Sequence, residues 1–194
     1  VIKNFNNSSY YGTDIWGCVN RDFGQYIEPD MTVYGEIVGY EEGTNKFIQK
    51  DYDYGCKEGT WKFMPYRIVK NCSTRPIEYN VNEVWKWSCD VNNLEGHNKI
   101  LPIKVLYRGL AKDLYKIPID DHWRENFIER LKNDPTFGLE YEEPMCINKV
   151  PREGIVIRID GDIKPEAWKL KAKTFYAREA KQHDNNEVDI EEIN

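Results

Sequence analysis

The sequence predicts an α+β fold in which antiparallel β-sheets are flanked by helices packed on their outside. Three observations lead there. Segments with strand character outnumber segments with helical periodicity, short turn-rich stretches join neighbouring strands, and one segment, 121–134, has clear helical spacing.

Taken in order, TDIWGCVNRDF (13–23) alternates bulky and polar residues and reads as a strand. MTVYGEIVGY (31–40) is β-branched and aromatic, and the glycines inside it, Gly35 and Gly39, point to a bulge or a close backbone approach. Residues 41–60 are turn-rich and read as a loop with a short hairpin. WKFMPYRIV (61–69) is a further strand, in which Pro65 implies an edge or a bulge. If Pro65 marks a bulge, Trp61 and Phe63 lie on one face and Met64, Tyr66 and Ile68 on the other. Residues 76–89 fit a short strand or a helix, and KILPIKVLYRGL (99–110) reads as a strand. In 121–134, Trp123, Phe127, Ile128 and Leu131 recur at helical spacing. Asp120 or Asp121 can cap the start, and Asn-Asp-Pro ends it. EGIVIRID (153–160) and AWKLKAKTF (167–175) return to strands, and YAREAKQ (176–182) suits a short helical turn.

A chain of 194 residues with 40% apolar and 31% charged content is long enough for one domain with a sizeable core. No apolar run is long enough to span a membrane, so no membrane partner is expected. The five cysteines are scattered without a C-x-x-C pair, which speaks against a disulfide framework or a zinc site and for buried thiols in an intracellular, cytoplasmic setting. His97, His122 and His183 form no metal or triad spacing. The net charge of −6 is uneven. Five of the 33 acidic residues lie in 184–194, leaving 28 against 27 basic ones, so the body is near neutral and the tail acidic. The polar N-terminus lacks a signal peptide's apolar core. It opens without Met, on what reads as a strand end, and the expectation is that further sequence precedes it.

Four segments hold chemistry-bearing residues, each with a plainer structural alternative. Glu153, at the mouth of a strand, can hold a divalent metal or be an ordinary charged strand end. Lys169 and Lys171 are two apart on a strand and share a face. They either flank a phosphate or form a solvated surface. Glu36, on the face of Tyr34 and Val38, can accept hydrogen bonds from ribose hydroxyls or pair with a basic neighbour. An aromatic in WKFMPYRIV can offer its ring to a purine base or pack in the core.

The order of these segments resembles the covalent nucleotidyltransferase superfamily of ATP-dependent ligases and capping enzymes. CVNRDF is similar to motif Ia, VYGE to motif III, KFMPYRI to motif IIIa, EGIVIR to motif IV and KLK to motif V. EGIVIR followed about sixteen residues on by KLK is the more specific pair; the rest contribute order and spacing. The resemblance covers the chain from about Cys18 to its end. It implies a nucleotidyltransferase (ligase adenylylation) fold over 1–183, N-terminally incomplete, with 184–194 as the tail.

In that family a lysine attacks the α-phosphate of ATP and releases pyrophosphate. The resulting lysyl-AMP passes its AMP to a 5′-phosphate end, and a 3′-OH then attacks that phosphate and releases the AMP. The resemblance implies that Arg21 contacts ribose or the nucleic-acid end and that Glu36 binds the ribose hydroxyls. Tyr66, or less readily Phe63, stacks on adenine. Glu153 helps hold Mg2+ or Mn2+, and Lys169 and Lys171 contact the α-phosphate. Such roles suit chemistry at phosphorus, where positioned charge does most of the work. The nucleophile motif, K-x-D-G or K-x-H-G, does not occur in the sequence. The reacting lysine is expected upstream of Val1, and the chain as given is expected not to form lysyl-AMP. Only 23 residues follow Lys171, too few for the C-terminal OB domain of DNA ligases and capping enzymes. The implied member is therefore an RNA ligase that joins RNA 3′-OH and 5′-phosphate ends, nicked duplexes included, with any accessory domain N-terminal. The alternatives are a non-catalytic ATP- or RNA-binding module of the same fold and a purely structural β-rich domain.

Overall fold

A computed structural model of the chain describes residues 14–96, 98–160 and 165–184. The acidic tail beyond Asp184, the N-terminal stretch and His97 lie outside the described residues. The observed class is α+β. One antiparallel sheet has the order β1-β2-β3, with β1 Met31–Gly39, β2 Trp61–Asn71 and β3 Pro76–Glu78. A second pairs β4 Gly154–Ile159 with β5 Glu166–Lys171. The described residues also hold helices α1 Ile15–Phe23, α2 Val81–Glu95, α3 Ala111–Leu114, α4 Trp123–Asn133 and α5 Lys173–Asp184, with a 3-10 turn at Gly24–Tyr26.

The segment read as a first strand is a helix. Its buried residues are Ile15, Val19 and Phe23, spaced at four, so the alternation of bulky and polar residues was incidental to a helical stripe. Asp14 caps it by accepting from Gly17 N at 2.9 Å. The stripe packs on Ile37, Trp61 and Phe63. The Phe23 ring meets Trp61 edge-on at 6.1 Å and stacks on Phe63 at 6.2 Å.

β1 and β2 form the central ladder, and its register shifts between Tyr34 and Gly35. Pro65 faces Gly35 there, and Arg67 faces Tyr34, so Tyr66 is the extra residue of a bulge. A side chain at residue 35 would come within 2.4 Å of the Phe63 ring, so only glycine lets the strands close. The bulge also moves Ile68 to the face of Trp61 and Phe63. Ile68 is fully buried with Met31 and Val84, and Val33 and Trp87 bridge this cluster to the first. The simple alternation expected for β2 fails for that reason. Pro65 marks the bulge rather than an outer edge, because β2 is the middle strand.

Residues 76–89 yield both expected elements, since β3 leads into α2. Asn80 and Glu83 form a capping box at the start of α2, and Gly96 ends it in the left-handed region at φ 66°. The strand expected over 99–110 shrinks to one parallel bridge, Phe63 to Ile100. Its two rungs are Phe63 N to Lys99 O and Leu101 N to Phe63 O, both 2.8 Å. The next rung would need an N–H from Pro65, which has none. α4 stands where its spacing placed it. α5 begins earlier and runs longer than the turn expected at 176–182, and it shortens the β5 segment to Lys171.

Residues 41–60 are not a surface loop. Tyr52 and Tyr54 are buried with Val38, Leu139, Val150, Ala172 and Phe175, and Cys56 is buried too. Asp53, also buried, accepts from Gly55 N at 2.7 Å, Ile147 N at 2.9 Å and Asn148 N at 2.7 Å. The Tyr52 hydroxyl donates to Pro151 O at 2.6 Å. Burial works against the Asp53 charge, yet the amides of Ile147, Asn148 and Gly55 hold its pKa below the ordinary value. All five cysteines are free thiols; Cys56 is buried and the other four only partly so. No helix among the described residues is long and apolar enough to cross a membrane.

Two expectations follow. Phe23→Ala should cost about 3–5 kcal/mol in urea denaturation, the range for emptying an aromatic site in a packed core. Asp53→Asn should cost about 2–3 kcal/mol, because charge-assisted bonds to buried amides are lost. The Asp53 contribution is full above the unfolded-state pKa and is lost as pH falls through the lower folded value. The wild-type advantage over Asp53→Asn should therefore shrink on acidification.

Candidate functional site

Glu36 lies on the β1 face that carries Tyr34 and Val38, opposite the α1 side of the sheet. Its cross-strand partner is Met64. Val38 and Met64 pack toward Ile155 of β4 and Leu170 of β5, so this face turns to the second sheet. Glu153 immediately precedes β4, and Ala172 N donates to its carbonyl at 2.9 Å. Lys169 pairs across the ladder with Val156, and its ammonium bonds the Glu153 carboxylate.

Three residues far apart in sequence thus act on one another. Burial raises the Glu36 pKa above its ordinary 4.5, the Glu153 charge raises it further, and Lys169 pulls it partly back. The buried Tyr54 phenol completes the group. Burial, then Glu153, then Glu36 push its pKa well above the ordinary tyrosine value. Tyr54 gave no signal in the sequence, because it sits in a turn (φ 47°) with no motif around it. A tyrosine in an apolar loop is visible as a core candidate only once Asp53 is seen to fold that loop inward.

Lys171 shares the face of Lys169 but is held differently. Its ammonium bonds Glu179 of α5 at 2.8 Å and lies 5.3 Å from the ring centres of both Phe175 and Tyr176. Tyr66, at the bulge, is 44% exposed. Beside it the Arg67 guanidinium lies 4.8 Å over the Tyr34 ring and bonds Glu78 at 2.8 Å. Phe63 is only 3% exposed and stacks on Phe23 on the opposite face from Glu36, so its ring is not offered to a base. Arg21 is also outside the group. It rides on α1, and its guanidinium bonds Asp22 at 2.8 Å and Glu42 at 3.2 Å.

For a metal, Glu153 and Glu36 supply two carboxylates. Their mutual repulsion is what a divalent cation would relieve, and Mg2+ is commonly held by one or two carboxylates with substrate phosphates. Among the described residues no group of three or more His, Cys, Asp or Glu is arranged to hold a metal ion. An open depression of about 660 Å3 lined by residues in 140–149 includes none of Glu36, Glu153, Lys169 or Lys171.

Comparison with protein-family models, with curated proteins and with solved structures gives no match for this chain.

The raised Glu36 pKa has a sign that can be tested. Below the unfolded value both states are protonated, and Glu36 costs nothing. As pH rises above about 4.5 the folded state resists ionisation, and the cost grows until the pH exceeds the folded value. Glu36→Gln should therefore gain stability relative to wild type as pH rises above about 4.5. Paired urea midpoints across that rise check it, and a constant difference would contradict the burial of the Glu36 charge.

Proposed function

We propose that this chain is a nucleotidyltransferase domain of the ATP-dependent RNA ligase type, with ATP and a divalent cation bound around Glu36, Glu153, Lys169 and Lys171. Support comes from one convergence. Glu36, Glu153 and Lys169, drawn from three separate motif-like segments, interact electrostatically in one place. In this reading Glu36 accepts from the ribose hydroxyls and Tyr66 stacks on adenine at the exposed bulge. Glu153 holds Mg2+ or Mn2+, with Glu36 close by. Lys169 and Lys171 bring positive charge to the α-phosphate, where the reaction builds negative charge. RNA 3′-OH and 5′-phosphate ends are the proposed substrates.

These 194 residues contain no K-x-D-G or K-x-H-G. The chemistry they can perform by themselves is therefore nucleotide binding and charge neutralisation, and adenylyl transfer needs a lysine the sequence does not supply. That same observation favours, as a second reading, a non-catalytic ATP- or RNA-binding module.

Thermal unfolding with and without ATP and Mg2+ tests the shared core of both. A nucleotide at a hundredfold excess over its Kd stabilises the fold by about 2.7 kcal/mol and must raise the midpoint. Lys169→Ala and Glu36→Ala should abolish most of that rise. No shift with wild type would remove the nucleotide reading. A covalent AMP on a longer form of the chain would separate the ligase from the binding module.

A further inference from the structure

The surroundings of Lys171 are built from one helix face. Phe175 and Glu179 follow Lys171 at intervals of four, and α5 begins two residues after it, so the helix presents both back toward the lysine. The ammonium donates to the Glu179 carboxylate at 2.8 Å and lies 5.3 Å from the centres of two aromatic rings. The side chains of Lys171 and Glu179 are 25% and 21% exposed, so the pair is neither sealed nor freely solvated. Lys169 is held by a different carboxylate; its side chain is 46% exposed and its ammonium pairs with Glu153.

We propose that Glu179 is a positioning residue for Lys171, fixing the ammonium so that its free donors meet a nucleotide phosphate. This rests on the nucleotide-binding reading above. An ammonium has three N–H donors, and a single carboxylate oxygen leaves the others available. A lysine stem is rich in rotamers, and holding it before the ligand arrives removes an ordering cost from binding. The rings of Phe175 and Tyr176 add an attraction that does not consume a donor.

The test is equilibrium binding of ATP and of adenosine, each with Mg2+, to the full chain as wild type, Glu179→Ala, Glu179→Gln, Lys171→Ala and the Lys171→Ala/Glu179→Ala double variant. Glu179→Ala should weaken ATP roughly three- to tenfold, the span for releasing one immobilised side chain. Adenosine, which lacks phosphate, should bind unchanged. In the Lys171→Ala background the Glu179 change should have no further effect. Glu179→Gln keeps an acceptor and the side-chain length and should fall between wild type and Ala. Equal loss of ATP and adenosine, or an undiminished effect without Lys171, would mean that Glu179 only docks the helix and would overturn the proposal. Tighter ATP binding by Glu179→Ala would overturn it too, making Glu179 a competitor for the lysine. If wild type binds neither ligand, the nucleotide reading fails and takes this one with it. Wild-type binding with an indifferent Glu179→Ala sinks the positioning role alone.

Discussion

The Asp53 carboxylate ties the two sheets together. It gathers amides from its own turn and from residues 147–148, while Tyr52 beside it holds Pro151. Glu153 follows that clamp by two residues. Its place opposite Glu36 depends on it, because among the described residues β4 and β5 pair only with each other and have no ladder to the first sheet. The side-chain cluster around Tyr52 and Val38 supplies the apolar attraction. The buried charge supplies direction, since an ionised carboxylate in a core is tolerated only where donors meet it. One carboxylate thus converts a generic sheet-on-sheet contact into a fixed relation between two strand ends.

The Gly35–Pro65 bulge plays the complementary part in the first sheet. Without the extra residue, the strict alternation of β2 would send Ile68 toward the second sheet and away from α2. With it, Trp61, Phe63 and Ile68 all face the helices. The other face is left to Glu36, Val38 and Met64 and, at the bulge itself, to the exposed Tyr66. The packing of α1 and α2 and the charged cluster therefore occupy opposite sides of one sheet, and the bulge keeps them from interfering.

The sequence made the α+β class legible, along with β1, β2, β4, β5 and α4, because period-two and helical patterns were clean in those segments. It misled at α1, where alternation over eleven residues coincided with a stripe at Ile15, Val19 and Phe23. It misled again at 99–110, where strand-like composition found no partner beyond the prolines. Among the candidate site residues, Glu36, Glu153, Lys169 and Lys171 stood out because charged residues fall within or beside apolar strands there. Tyr54 and Glu179 did not, since a tyrosine in a turn and a glutamate on a helix are common and mean nothing until their neighbours are known. Ile68 was placed on the wrong face because one face of a strand can be inferred only up to its next bulge.

The clamp at Asp53 joins residues 94 and 95 positions apart. A chain emerging N-terminus first folds what it has, and contacts of such separation form late because the intervening loop must close before any reward is felt. The first sheet and α2 can assemble from local partners while the 41–60 segment still exposes Tyr52 and Tyr54. During synthesis, then, the half of the site that bears Glu36 waits with an open apolar flank until the final third of the chain arrives to cover it.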